Sequence, residues 1–264
     1  MRAEDAAVKV VILAGGLGTR ISEESHLKPK PMIEIGGMPI LVHIMKGYAA
    51  QGFNEFVICA GYKQHIIKEY FAHYYLYSSD VEFDLGNNSK TILKPQKDDW
   101  KVIVADTGLH TQTGGRVKRI GDYIDGDEFM LTYGDGVADV DLEKLMGCHR
   151  KSGKLATVSC YNFGQSKGVM DISKDGTVNA FREKSDMDGD LINIGFMVLD
   201  RSVLDLIGGD DDPLEEVPFQ KLVKEKQMNA YVHTGFWQCM DTMREKEKLE
   251  RLWDEGKAPW KVWS

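Results

Sequence analysis

Residues 10–20 read Val-Val-Ile-Leu-Ala-Gly-Gly-Leu-Gly-Thr-Arg, and the rest of the chain is read outward from them. Val10–Leu13 has the unbroken apolar character of a strand buried on both faces. Gly15, Gly16 and Gly18 form a loop at its carboxyl end, followed at once by Arg20. Glycines there let backbone N–H groups close on a bulky anion, with no Cβ in the way. Spacing separates this loop from two familiar phosphate binders. A Walker A loop ends in Gly-Lys-Ser/Thr, whereas here Gly18-Thr19-Arg20 stands in that place. A dinucleotide fingerprint beginning at Gly16-x-Gly18 requires glycine or alanine at position 21, where this chain has Ile21. What remains is a glycine loop that delivers a permanent cation, whose planar fork matches phosphate oxygens.

The next segment is Lys28-Pro29-Lys30-Pro31-Met32, followed by Gly36-Gly37-Met38-Pro39. The prolines fix φ and exclude a helix, so the lysines ride on a stiff, extended stretch. Taken singly, the first loop also reads as a plain strand-to-helix turn, and the lysine pair as a solvated basic loop. Further along stand Cys59-Ala60-Gly61-Tyr62-Lys63, Asp106-Thr107-Gly108, Thr113-Gly114-Gly115-Arg116 and Tyr133-Gly134-Asp135-Gly136. Gly235-Phe236-Trp237 with Asp241, and the tail Lys257-Ala258-Pro259-Trp260-Lys261, complete the set.

Together these motifs resemble the signature of the sugar-1-phosphate nucleotidyltransferases. The first loop is shared across that superfamily; the Arg116 motif and the tryptophan tail are similar to its cytidylyltransferase branch. The resemblance runs from about Lys9 to the C-terminus. It implies an α/β protein: a three-layer α/β/α, Rossmann-like nucleotide-diphospho-sugar transferase fold with a mixed, mostly parallel central sheet. It also implies one domain over residues 8–264, with a nucleotide half to about residue 140 and a sugar half from about 141.

Composition agrees with one soluble domain. The chain has 264 residues, enough for a full core, and no Pro/Gly/Ser-rich linker divides it. Hydrophobic residues at 42% and charged ones at 28% are ordinary for a globular protein. No apolar run approaches a membrane span, and the charged, polar start over residues 1–7 reads as a flexible extension, not a signal peptide. Four scattered cysteines without C-x-x-C spacing fit a reduced, cytoplasmic protein. The histidines form no cluster suited to zinc. A net charge of −8 argues against nucleic acid as a partner. Anionic substrates then require local positive charge, from Arg20, Lys30, Arg116 and a metal ion.

Apolar runs alternate with helical patterns through the first half. Val8–Leu13, Glu55–Ala60, Lys101–Ala105, Phe129–Tyr133 and Ala156–Tyr161 read as strands; Ile40–Gln51, His65–Tyr75 and Leu142–Ser152 read as helices. This order argues for an open, largely parallel sheet covered on both faces, which binds ligands beyond the carboxyl ends of its strands. The second half is less regular: strands at Val178–Phe181, Ile192–Leu199 and Met228–His233, helices at Phe219–Lys226 and Met243–Glu255. Trp237, Trp253, Trp260 and Trp263 read as packing or subunit-contact residues, since a free tail would expose its indoles.

The reaction implied by the resemblance is attack of a sugar 1-phosphate on the α-phosphorus of CTP, catalysed by positioning and charge neutralisation. Arg20 and Lys30 are the expected catalytic residues. Leu13, Ala14, Gly15, Gly16, Leu17, Gly18, Thr19, Thr111, Arg116 and Gly134 are expected at the nucleotide. Cytosine offers two acceptors and an amine donor, and the Thr-Gly-Gly-Arg motif supplies unobstructed N–H groups plus a guanidinium. Asp135 and Asp241 are expected to hold Mg²⁺, a hard cation suited to carboxylate oxygens. Asp135 also reads as a turn residue and Asp241 as a helix cap, although Thr242 and Glu245 already make a capping box there.

Glu183, Lys184 and Asn193 are expected at the sugar phosphate, and here the chain departs from the resembled pattern. Ser185 replaces a proline, Ile194 a glycine, and Lys167-Gly168-Val169-Met170 a Phe-Gly-Ala-Leu segment; Met38 stands where lysine is common. Ile194 is expected to intrude on the sugar pocket. CTP and a sugar 1-phosphate are the expected partners, with no nucleic acid or membrane, in a homo-oligomer. A cytidylyltransferase for another sugar or polyol phosphate, use of UTP or dTTP, and a non-catalytic sugar-nucleotide sensor stand as alternatives. An NAD(P) oxidoreductase is weakened by Ile21.

Overall fold

In the computed structural model the described residues are 7–94, 98–162, 169–173, 178–182 and 191–263; the side chains of residues 20, 22, 23, 169–172 and 178–182 are outside that set. The expectations for the extension before Ala7, for Glu183, Lys184 and Ser185, and for Lys167 and Gly168 fall outside it too. The chain runs β1 (Val10–Ala14), α1 (Ser22–Ser25), β2 (Glu34–Ile35), β3 (Met38–Pro39), α2 (Ile40–Ala49) and β4 (Glu55–Ala60). Next come α3 (Gln64–Ala72), α4 (Tyr74–Ser78), β5 (Asp80–Asp84), β6 (Ser89–Leu93), β7 (Lys101–Asp106), α5 (Thr113–Arg119) and β8 (Glu128–Tyr133). Then follow β9 (Gly136–Ala138), α6 (Leu142–Ser152), β10 (Ala156–Asn162), β11 (Val169–Ile172) and β12 (Val178–Arg182). The last elements are β13 (Leu191–Asp200), α7 (Val217–Lys224), β14 (Met228–His233), β15 (Trp237–Cys239) and α8 (Met243–Asp254).

The central sheet has the order β14-β10-β13-β8-β1-β4-β7. β8, β1, β4 and β7 pair in parallel, as do β10 and β14; β13 runs antiparallel to both of its neighbours. Alternate residues of β1 explain the layers. Val10, Ile12 and Ala14 join a core with Ile40, Leu41, Ile44, Met45 and Tyr48 of α2. Val11 and Leu13 face the other way, into a second core that also holds Val117 of α5 and Leu222 of α7. With both faces covered by apolar helices, β1 is buried throughout, as its composition demands.

Two local differences from the sequence reading have physical causes. The pattern over residues 65–75 divides into α3 and α4 at His73, whose φ of −111° leaves the helical region. Helix α5 escapes a propensity reading because it begins Thr-Gly-Gly, and glycine disfavours helix by about 1 kcal/mol per residue.

The tail is anchored by a buried polar chain. Trp260 is 1% exposed and stacks on Phe236, while its indole Nε1–H donates to His43 Nδ1 at 3.2 Å. His43 Nε2 lies 2.8 Å from the Ile35 carbonyl oxygen, so the neutral ring can accept at one nitrogen and donate at the other. Burial pushes the His43 pKa down to about 4. The unfolded chain therefore binds a proton at this site below about pH 6.5 that the folded chain refuses, and stability falls as pH drops through that window. Unfolding free energy should decrease by about 2 kcal/mol between pH 7 and pH 5 from this ring alone. Urea titrations of His43→Gln should lack that part of the slope; an unchanged slope would place the pH dependence elsewhere.

Candidate active site

The parallel register places β8 beside β1, with Leu13 opposite Tyr133 and the Gly134 N–H donating to the Leu13 carbonyl at 2.9 Å. The glycine loop and the Tyr-Gly-Asp-Gly turn consequently leave the sheet side by side. A cavity of about 330 Å³ opens there. Leu13, Ala14, Gly15, Gly16, Gly18, Thr19, Thr111, Arg116 and Gly134 line it, as do Lys30 and Asp135. Leu17 is expected in the same loop, but it is outside that lining and 48% exposed. Arg20 lies in the short turn Thr19–Ile21 that ends the loop.

Asp135 and Asp241 are far apart in sequence and meet through a second pairing. β15 runs antiparallel to β9 with Cys239 opposite Gly136, and the Met240 N–H donates to the Asp135 carbonyl at 2.8 Å. Thr242 and Glu245 form the capping box of α8, and Glu245 also takes the Asp241 N–H at 2.7 Å. Asp241 is thus held one position before the helix cap. Lys30, on its proline-stiffened segment, donates to Asp135 Oδ2 at 2.6 Å and to Asp241 Oδ1. Its residue is 8% exposed. Burial works against the ammonium, but the Asp135 and Asp241 carboxylates more than offset it and hold the Lys30 pKa above its ordinary value.

The ammonium bridging these two carboxylates shows that they converge on a cation. Their oxygens are the hard donors a divalent ion takes while retaining water. No group of three or more His, Cys, Asp or Glu suited to a metal occurs among the described residues. The pair therefore fits an ion that takes its other ligands from water and substrate.

The structure adds a packing role to the Thr-Gly-Gly-Arg motif, whose Arg116 lines the cavity. Arg116 is 5% exposed, and its Nη1 donates to Thr107 Oγ1 at 2.8 Å and to the Gly108 carbonyl at 2.7 Å. Its Nη2 donates to the carbonyls of Gly15 and Leu109, both at 3.2 Å. Four protein acceptors thus engage its two Nη groups. A Cβ on Gly15 would stand 2.1 Å from Arg116 Nη1, so glycine there makes room for the guanidinium. The two glycines of the motif serve packing in the same way. A Cβ on Gly114 would lie 2.6 Å from the Asp212 carbonyl oxygen, and one on Gly115 2.6 Å from Asp210 Cα. The Gly114 N–H itself donates to Asp212 at 3.0 Å.

The profile of the family described as Nucleotidyl transferase matches residues 9–244. A glucose-1-phosphate cytidylyltransferase from Salmonella typhimurium is 49% identical, covering 97% of this chain and 100% of that protein. The chain belongs to the glucose-1-phosphate cytidylyltransferases. A Bacillus subtilis protein named probable glucose-1-phosphate cytidylyltransferase is 39% identical over the same shares of each chain. The crystal structure of HddC from Yersinia pseudotuberculosis superposes with a TM-score of 0.65 at 22% identity, covering 93% of this chain and 99% of that one. It supports the nucleotidyltransferase fold. The protein is therefore a nucleotidyltransferase enzyme.

Near the start of β13, Asn193 Nδ2 donates to the Tyr133 hydroxyl at 3.3 Å, and Asn193 Oδ1 accepts the Gly195 N–H at 2.8 Å. Ile194 is 3% exposed and belongs to the core with Phe196 and Val198. The expectation that Ile194 narrows the sugar pocket is thereby corrected: successive residues of a strand face opposite ways, and Ile194 takes the face away from Asn193. Tyr133, Gln112 and Thr113 also line the cavity, without having been assigned a role from sequence. Tyr133 stood inside a quoted motif, so its proximity to Asp135 was available as a signal.

Replacing Arg116 by methionine would keep most of the stem volume but leave four acceptors without their donor. A loss of stability of about 2–4 kcal/mol is expected. Urea denaturation with an unchanged m-value checks it; a loss below about 0.5 kcal/mol would remove the clamp from the fold's essential contacts.

Proposed function

We propose that this site transfers CMP from CTP to α-D-glucose 1-phosphate, giving CDP-glucose and pyrophosphate. One observation carries the reading: the glycine loop, Lys30 and Asp135 face a single cavity, in a chain 49% identical to a glucose-1-phosphate cytidylyltransferase. A phosphate oxygen of glucose 1-phosphate forms a bond to the α-phosphorus of CTP. The bond from that phosphorus to the oxygen shared with the β-phosphate breaks, and pyrophosphate departs with the electron pair. A phosphate monoester, with a second pKa of about 6, is already mostly dianionic at neutral pH, so no general base is needed. The barrier is repulsion between anions and the entropy of alignment.

The residues divide that work. N–H groups of the Gly15–Thr19 loop bind the triphosphate, and Arg20 and Lys30 neutralise charge on the transferring phosphoryl group. Asp135 and Asp241 would hold Mg²⁺, which when bound supplies charge neutralisation at phosphate oxygens. Thr111, Arg116 and Gly134 border the nucleotide, and Arg116 also keeps the loops around it in place. Asn193, with Glu183 and Lys184, takes the sugar phosphate.

We further infer one nucleotidyltransferase domain over residues 8–264; its support is a sheet drawn from both halves, with β10, β13 and β14 continuing the strands of the first. A homo-oligomer is supported by the β5–β6 hairpin, where Phe83 and Leu85 are 59% and 90% exposed. Such side chains on a two-stranded ribbon invite a covering partner. A cytoplasmic location is supported by the four free cysteines; no described helix is long and apolar enough to cross a membrane.

A panel of nucleoside triphosphates with glucose 1-phosphate and Mg²⁺, followed by pyrophosphate release, tests the reading. CTP should give the highest kcat/KM. Asp135→Asn should lower turnover by about a hundred-fold or more with the fold retained. Lys30→Ala should lower kcat more than it raises the KM for CTP; a change in KM alone would recast Lys30 as a ground-state binding group.

A further inference from the structure

Three segments meet at the Glu215 carboxylate, which precedes α7 and has no part in the chemistry above, and a fourth is reached through Tyr133. Its Oε2 accepts the Thr113 hydroxyl at 2.7 Å, at the start of α5. Its Oε1 accepts the Tyr133 hydroxyl at 2.5 Å, at the end of β8. That hydroxyl in turn accepts from Asn193 Nδ2, at 3.3 Å, near the start of β13. Tyr133 and Thr113 both line the cavity.

The two hydroxyls differ in how much they depend on Glu215. Thr113 Oγ1 is also held by the Leu214 N–H at 2.8 Å. The turn around it is docked by the Gln112 N–H on the Asp210 carbonyl, at 2.8 Å, and by the Arg119–Asp210 ion pair. The Tyr133 hydroxyl gives its single proton to Glu215. With the proton directed there, the lone pairs of the oxygen face the Asn193 amide, which together with the Gly195 N–H on Asn193 Oδ1 fixes the orientation of that side chain.

We propose that Glu215 is a positioning residue for the acceptor: through Tyr133 it sets the Asn193 amide and thereby the affinity for glucose 1-phosphate. This rests on the transfer reaction proposed above and assigns Glu215 a role on its sugar side, while the nucleotide side keeps its other anchors. Tyr133 and Glu215 therefore act as one unit, and removing either partner gives the same loss.

The test uses the full chain and initial rates of pyrophosphate release, each substrate varied against saturation of the other. Glu215→Ala should raise the KM for glucose 1-phosphate about ten-fold, with the KM for CTP changed less than about two-fold. Tyr133→Phe should give the same split. Glu215→Gln should restore most of the affinity, because its amide oxygen can accept the Tyr133 hydroxyl. The Tyr133→Phe/Glu215→Gln double variant should be no weaker than Tyr133→Phe. Calorimetric titration of each variant with glucose 1-phosphate checks the change without turnover, and Glu215→Gln and Tyr133→Phe carry the test should Glu215→Ala fail to fold. Equal weakening of CTP, multiplying losses in the double variant, or an unchanged KM in an active enzyme would overturn the role of Glu215 alone. A wild-type chain that neither binds glucose 1-phosphate nor releases pyrophosphate with it would overturn the transfer reading and this proposal together.

Discussion

A buried guanidinium holds the ligand-facing edge of this protein together. Loops leaving parallel strands diverge as the sheet twists, and their carbonyls need donors wherever water is excluded. Arg116 supplies those donors to the loop after β1, through Gly15, and to the loop after β7, through Thr107, Gly108 and Leu109. A planar, permanently charged group with donors in a fixed fork suits the task; a lysine, with three donors on one nitrogen, could not serve four acceptors. The sequence around it follows from this constraint. A side chain at Gly15 or Gly61 would press on the guanidinium, with a Cβ 2.1 or 2.5 Å from Nη1. Two separate glycine motifs thus answer to one arginine.

The catalytic edge concentrates charge in a chain whose net charge is −8. Lys30 lies between Asp135 and Asp241, so its positive charge is satisfied within the fold before any phosphate arrives. A buried ammonium without such partners would lose its proton or destabilise the protein. The same two carboxylates that stabilise the lysine present oxygens suited to a metal. Both needs are met by the local pairing of β9 with β15, which puts the two aspartates at adjacent ends of a short ribbon. No long-range adjustment is required.

Much of this was legible in the sequence, and the exceptions share a cause. The unbroken apolar strand Val10–Leu13, the alternation after it, and the capping box at Thr242 have local signals, and the corresponding elements form within a residue or two. Lys30, Asp135 and the glycine loop lie on segments whose backbone is dictated by proline, glycine and strand ends, so their convergence could be read from motif positions. Arg116, by contrast, has a residue type that fits both a ligand donor and a structural clamp. Only the acceptors around it, contributed by Gly15, Thr107, Gly108 and Leu109, reveal the clamp. Ile194 failed for a similar reason, because the face a strand residue takes depends on register with its neighbours. The β5–β6 hairpin gives no core signal, since nearly every one of its residues is exposed.

The segment Asp210–Glu215 belongs to the second half of the chain yet grips the start of α5 in the first. Gln112 and Gly114 donate to the carbonyls of Asp210 and Asp212, Thr113 exchanges hydrogen bonds with Leu214 and Glu215, and Arg119 pairs with Asp210. Such a contact needs bare backbone on one side, and Gly114 and Gly115 provide it. A transfer between two bound anions gains only if both are held at once in a reactive alignment. A cavity-lining loop of the first half fixed by contacts from the second half would meet that demand mechanically. Displacing the segment would disturb the cavity that Gln112, Thr113 and Tyr133 line.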